Sequence, residues 1–215
     1  MSHPPLPQDV ALPDGTILQR VQEFKYLGSM MSSSAEDLRV RRGQAWSAFW
    51  GMHRLWRSKE IPLPLKLRIY EATCLSILLY GCETWSITVL MRKSIDSFAT
   101  SCYRFMLGIK WSDKVTNEVV LSRVHRLPLS CTVVTRQLRC LGHNLRKGPQ
   151  NMPRLYALYV PAHGRRKRGR PRLLYNKYVE RITGLSGEQD LEDAARSRDG
   201  WRDLVVGWSL RDQPP

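Results

Sequence analysis

The stretch Leu78-Leu79-Tyr80-Gly81-Cys82-Glu83-Thr84-Trp85 closes the most apolar segment of the chain and stops it abruptly. Ahead of it, Leu65, Ile69, Ala72 and Leu79 fall on one face at helical spacing, and Pro64 stands where a first helical turn tolerates proline. Gly81 then supplies a C-terminal stop, because glycine reaches the left-handed conformation that ends many helices. The expectation is a buried helix followed by a turn, which the flanking segments must cover.

The apolar run between Glu71 and Glu83 is too short to cross a bilayer, which takes roughly 20 residues. A chain of 215 residues, 42% hydrophobic, is long enough for one sizeable core or two small ones. Its 34 Lys and Arg against 19 Asp and Glu give a formal net charge of +15 and a pI near 10.1. Such a balance attracts polyanions, and nucleic acid fits it better than a membrane surface. Cys74, Cys82, Cys102, Cys131 and Cys140 are odd in number and widely spaced, which suits a reduced intracellular protein and not a disulfide framework. Cys140-x-x-His143 is half of a zinc motif without its second pair, so no metal or other cofactor is expected.

Residues 1–15 read as a loose tail. Over residues 16–30, Thr16-Ile17-Leu18 and Val21 to Leu27 are short β-prone runs on either side of Gln19-Arg20 and predict a hairpin. Ser33 and Glu36 form a capping-box pattern, with Asp37 suited to the positive end of a helix dipole. The helix predicted from there to about Trp56 carries Leu38, Ala45, Phe49, Met52 and Trp56 as its apolar stripe. Arg39, Arg41, Arg42, Arg54 and Arg57 supply charge around it, and Trp46 and Trp50 widen it, as core fillers or as stacking surfaces for bases. A third helix of about 20 residues repeats Met91, Ile95, Phe98, Cys102, Phe105 and Ile109 at three and four.

Asp113 or Thr116 can cap a shorter helix through Val120 and Val124, and Pro128 marks the next break. From about Ser130 to Arg146, Val134, Leu138, Leu141 and Leu145 face inward. Arg136, Arg139, His143, Arg146 and Lys147 gather towards the far end, either as a solvated face or as phosphate contacts. Residues 31–147 thus read as a helical bundle, with a soft boundary at Gly148. Residues 148–187 form a basic connector in which Leu155 to Val160 reads as a short strand and Leu174, Tyr178 and Ile182 as one more helix. Residues 188–215 read as an acidic linker, with Glu188, Asp190, Glu192 and Asp193, and a short amphipathic helix carrying Trp201, Leu204, Val205 and Trp208 that docks back on the body. The fold class expected is mainly α.

Grouped reactive residues are missing. The adjacent carboxylates Glu36-Asp37 and Glu192-Asp193 sit in a helix start and an acidic surface segment, whereas two-metal chemistry needs carboxylates converging on ions about 4 Å apart. Neither an enzyme nor a small-molecule site is expected. The strongest functional signal is Arg168-Gly169-Arg170-Pro171 with Arg165, Arg166, Lys167 and Arg172 around it. An extended Arg-Gly-Arg core can lie in a narrow A·T-rich minor groove, as in an AT-hook, because glycine lets the backbone sit deep while the guanidiniums follow the groove floor. The same run also suits nuclear import, a phosphate clamp or a solvated linker.

Taken together, Phe24-Lys25-Tyr26-Leu27-Gly28, Ala45-x-x-Ala48-Phe49, Lys66-x-Arg68-x-Tyr70, Leu78 to Trp85, Arg139-Cys140-Leu141-Gly142-His143 and Arg168 to Pro171 resemble the C-terminal part of a non-LTR (LINE-type) retrotransposon reverse transcriptase. The resemblance covers about residues 20–180. It implies that Phe24 to Gly28, with Lys25, matches the primer-grip hairpin, that the helices up to about Ile109 match the thumb, and that the remainder matches the connector. It also implies that the catalytic aspartates of the family have no counterpart here, and Tyr175 stands where the family often has tryptophan. The resemblance and the charge together lead to the expectation of a non-catalytic remnant, intracellular and nuclear, that binds duplex DNA or an RNA–DNA hybrid through Lys25, Arg136, Arg139, Arg146, Lys147 and the basic run from Arg165 to Arg172. The alternative is a domesticated nuclear DNA-binding adaptor that uses the Arg-Gly-Arg segment.

Overall fold

The computed structural model describes residues 9–19, 25–26, 28–30, 33–148, 150–159 and 175–211, and among these the chain is mainly helical. Two small antiparallel ribbons open it: β1 (Asp9–Ala11) pairs with β2 (Ile17–Gln19), and β3 (Lys25–Tyr26) with β4 (Ser29–Met30). Asp14-Gly15 is the turn of the first ribbon, where Asp14 accepts the Thr16 N–H and Gly15 takes φ +82°. Ile17 therefore pairs backwards with Ala11 and not forwards, and Asp9–Ala11 leave the expected loose tail for a strand. Gly28, at φ +85°, turns the second ribbon.

The first long helix, α1 (Ser34–Gly51), starts where Ser33 Oγ accepts the Glu36 N–H. Only that half of the capping box carries over, for the Glu36 carboxylate is held by Arg39. The helix breaks at Met52 and resumes as α2 (His53–Arg57), so the single helix expected to Trp56 is two. Phe49 is fully buried, stacks on Trp56 with ring centroids 5.2 Å apart, and meets Trp46, Tyr70 and Phe105 edge-on. Trp46 is partly buried and Trp50 packs on Phe105, which makes this pair an extension of the core.

The apolar segment runs from α3 (Leu63–Tyr70) through a wide π-turn at Glu71–Leu75 into α4 (Ser76–Leu78). Half of the expected inward face holds, with Leu79 buried and Ile69 packed on the core, but Leu65 is exposed and Ala72 faces solvent, while Lys66, Leu67, Tyr70, Cys74, Leu75 and Leu78 are buried. The reason lies at Lys66, whose Nζ donates to the Trp56 and Ser58 carbonyls at 2.8 and 2.7 Å and so caps α2 with a buried ammonium. At the π-turn the Thr73 and Ser76 hydroxyls bond back to the Ile69 and Ala72 carbonyls, as hydroxyls do where helices loosen. Gly81 ends the segment at φ +70°, ahead of a short 3-10 turn at Cys82–Thr84.

Next come α5 (Val89–Leu107), α6 (Asn117–Val124), capped by Thr116, and α7 (Leu129–Leu145). Pro128 opens α7, and Asp96 of α5 caps it from outside by accepting the Ser130 N–H and hydroxyl, both at 2.8 Å. Leu155 lies in a helix, α8 (Met152–Leu158), and not in a strand: Asn151 caps it and Pro153 fits its first turn. α9 (Tyr175–Thr183) is next. The acidic run is also helical, α10 (Glu188–Arg196), since Leu191 and Ala195 give it a buried stripe. α11 (Arg198–Arg211) buries Trp201, Val205 and Trp208 as expected.

Two apolar cores result. The first joins α1 to α6 and the start of α7; the second joins Val134, Leu138, Leu141 and Leu145 of α7 to α9, α10 and α11. The expected boundary at Gly148 is therefore not the seam between them. The seam runs along α7 itself, because that helix is apolar on two faces.

Candidate nucleic-acid interface

Helix α7 is held from both sides. Gln137, 1% exposed, donates through Nε2 to the Cys82 and Trp85 carbonyls at 2.9 and 2.8 Å and accepts the Tyr178 hydroxyl at 3.0 Å. One amide thus ties the turn after Gly81 to α9. On the other side the Trp201 indole donates to the Leu138 carbonyl at 2.9 Å and lies against Gly142, where a Cβ would stand 2.2 Å from its nitrogen. Only glycine admits that approach.

With these faces buried, Arg139 and His143 are exposed on the same helix, and Lys147 is exposed just past its end. From Arg139 to the helix end at Leu145 the rise spans about 9 Å, the axial length of two to three nucleotides. Arg136 is different: it is partly buried, its Nη1 reaches the Leu79 carbonyl at 3.4 Å, and its charge draws the Cys82 thiol down slightly. Burial wins there, pushing that thiol up to about 12, and Cys74, Cys102 and Cys140 are raised for the same reason. Protonated thiols of this kind are poor nucleophiles and poor metal ligands. Arg146 turns its Nη1 towards the Ala195 carbonyl at 3.2 Å, near the end of α10, while the rest of the residue is exposed.

Of the residues proposed to meet phosphate, Arg139 and Lys147 are thus displayed together, and Arg136 and Arg146 spend part of their guanidinium capacity on the protein's own carbonyls. Lys25 belongs to β3, opposite Met30. Arg165, Arg166, Lys167, Arg168, Arg170 and Arg172 lie outside the described residues, and so do Phe24 and Leu27. Among the described residues no group of three or more His, Cys, Asp or Glu side chains is placed to hold a metal, and no helix is long and apolar enough to cross a membrane.

Several acids are taken up locally: Glu36 with Arg39, Glu71 with Arg126, Glu192 with Arg154, Glu180 with Lys177, Asp193 with Arg196 and Asp199 with Arg202. That leaves the surplus of positive charge on the surface. Two features escaped the sequence reading. Asp37 and Arg41 are a buried pair, and Trp111 stands 95% exposed in a 3-10 turn between Lys110 and Lys114. Only the alternation of lysine, tryptophan and lysine in a stretch without apolar periodicity pointed to the second.

Comparison with protein-family models, with curated proteins and with solved structures returns no match for this chain.

Proposed function

We propose that the protein is a non-catalytic nucleic-acid-binding module that grips the phosphate backbone without strong sequence preference, and that it is a remnant of the thumb and connector of a LINE-type reverse transcriptase. One observation carries the binding: Arg139 and His143 are exposed on a helix fixed by two cores, with Lys147 exposed just past its end, in a chain with a formal net charge of +15. A rigid basic ridge suits phosphates, which fix position and carry no sequence information. The remnant reading rests on the motif order, and two of the motifs meet at Arg41, whose Nη2 donates to the Gly28 carbonyl at 2.7 Å while its guanidinium lies 4.5 Å from the Tyr80 ring centre.

Fluorescence anisotropy on a duplex of about 20 base pairs tests the binding. With about 4–6 phosphates neutralised, log K falls against log salt with a slope of about −4 to −5. Arg139→Ala with Lys147→Ala reduces that slope by about 2. No affinity at low salt, or a slope indifferent to the double substitution, defeats the reading.

The second reading, a nuclear adaptor that enters A·T-rich minor grooves, draws on Gly169 between Arg168 and Arg170. It calls for a preference for A·T-rich over G·C-rich duplex that Arg168→Ala with Arg170→Ala abolishes.

A further inference from the structure

Of the seven tryptophans Trp111 is by far the most exposed, at 95% against 49% for Trp50, the next. Trp56, Trp85, Trp201 and Trp208 are buried, Trp46 is partly buried, and Trp50 rests on Phe105, whereas Trp111 exposes nearly its whole side chain. Its position is built and not incidental. Gly108, at φ +70°, ends α5, and Ile109 and Val115 anchor the two flanks against the first core. Between them Lys110 N–H donates to Asp113 Oδ2 at 2.8 Å, Asp113 N–H returns to the Lys110 carbonyl at 3.1 Å, and Lys114 takes φ +48°. Arg104 closes the exit by donating to the Val115 carbonyl at 2.6 Å and to Asn117 Oδ1 at 2.7 Å. These bonds hold the shape of the turn, and that shape pushes an indole into water with a lysine on either side.

We propose that Trp111 is a stacking platform for one unpaired nucleobase, with Lys110 and Lys114 meeting the phosphates that flank it. The inference rests on the nucleic-acid reading above and deepens it from duplex backbone to single-stranded segments. An indole face accepts any base, so the contact is indifferent to sequence. In a duplex both faces of each base are already stacked, which restricts the platform to single strands, overhangs and frayed ends. The charge around the indole selects an anionic aromatic ligand over a neutral one. Asp113, exposed beside the two lysines and accepting from Lys110 N–H and the Ser112 hydroxyl, offsets one of them and leaves the turn with one net positive charge.

The test uses the full chain with two labelled oligonucleotides of about 12 residues, one of thymidines and one of abasic sugars, beside the duplex used above. Stacking makes the thymidine strand bind about tenfold tighter than the abasic one. Trp111→Ala brings the two together, Trp111→Phe keeps most of the difference, and duplex affinity is unchanged by either. Equal binding of the two strands by the native chain overturns the platform, as does a Trp111→Ala protein that still distinguishes them or loses duplex in equal measure. A native chain that sediments as a dimer and becomes monomeric with Trp111→Ala also overturns it, since the indole then meets a second copy. Should the native chain bind none of the three ligands, the backbone-binding reading falls as well; duplex binding without base discrimination removes the platform alone.

Discussion

Asp37 sits in the first turn of α1, where a carboxylate suits the helix dipole, but its oxygens are turned into the protein. They accept the Met30 N–H at 3.0 Å, the Trp85 indole at 2.9 Å and Arg41 Nε at 3.1 Å. Replacing Asp37 by alanine leaves the Arg41 guanidinium buried without its counter-ion, and the expected loss is about 3–5 kcal/mol, read as a lower urea midpoint. Adding Arg41→Met to Asp37→Ala recovers part of that loss, because the unpaired charge goes with it. Nothing in the local sequence marks this pair. Asp37 and Arg41 are four apart, a spacing shared by many solvated pairs, and what buries them is the approach of Ser29, Tyr80 and Trp85 from distant positions. Lys66 was unreadable for the same reason: a lysine enters a core only when carbonyls such as those of Trp56 and Ser58 wait for it. The buried Tyr70 hydroxyl has only the Cys102 thiol, a weak partner, beside it.

Among elements, α7 bears the most and depends on a cap borrowed from α5. Burial raises the Asp96 carboxyl above its ordinary 3.8, and the two bonds from Ser130 pull it partly back. The folded chain therefore holds that proton more tightly than the unfolded one. The stability from this group is fully present below 3.8 and falls as the pH rises through the raised value. Asp96→Asn keeps an acceptor and cannot ionise. Denaturation midpoints of the native chain should drop relative to Asp96→Asn as pH climbs through that window, while Asp96→Ala costs about 1–2 kcal/mol for the lost cap. The helices themselves were largely legible. α5 and α7 carry regular three-and-four spacing, and Ser33, Thr116 and Gly81 mark ends where they were expected. The errors have physical sources. Leu155 comes after an Asn cap and a first-turn proline that outweigh its apolar neighbours, and the acidic run from Glu188 folds because Leu191 and Ala195 supply a stripe. The buried Lys66 turns Leu65 outward, and the wide turn at Glu71–Leu75 defeats a constant 3.6-residue count at Ala72, so these two miss the inward face although Leu79 and the helix end do not. In the candidate interface, Arg139 and Lys147 were legible from spacing, but the carbonyls that engage Arg136 and Arg146 belong to other elements.

For the whole molecule, the decisive contact is the indole of Trp201 against Gly142. Alanine at position 142 puts a Cβ among ring atoms at 2.2–2.6 Å, and the neighbour is a buried, hydrogen-bonded tryptophan with little room to move. Gly142→Ala should weaken the second core by about 1–3 kcal/mol, with Trp201 shifting to red-edge emission while the first core still unfolds cooperatively. Gln137 sets how far that damage spreads, being the polar link from the turn after Gly81 to Tyr178. Because α7 lends a face to each core, order matters in time as well as in space. Trp201 lies 63 residues beyond the Leu138 carbonyl it will hold. At synthesis rates of about 5–20 residues per second, that separation is a wait of about 3–13 s. For those seconds Val134, Leu138, Leu141 and Leu145 face outward on a nascent chain, open to a chaperone or to the same face of a neighbour on the polysome.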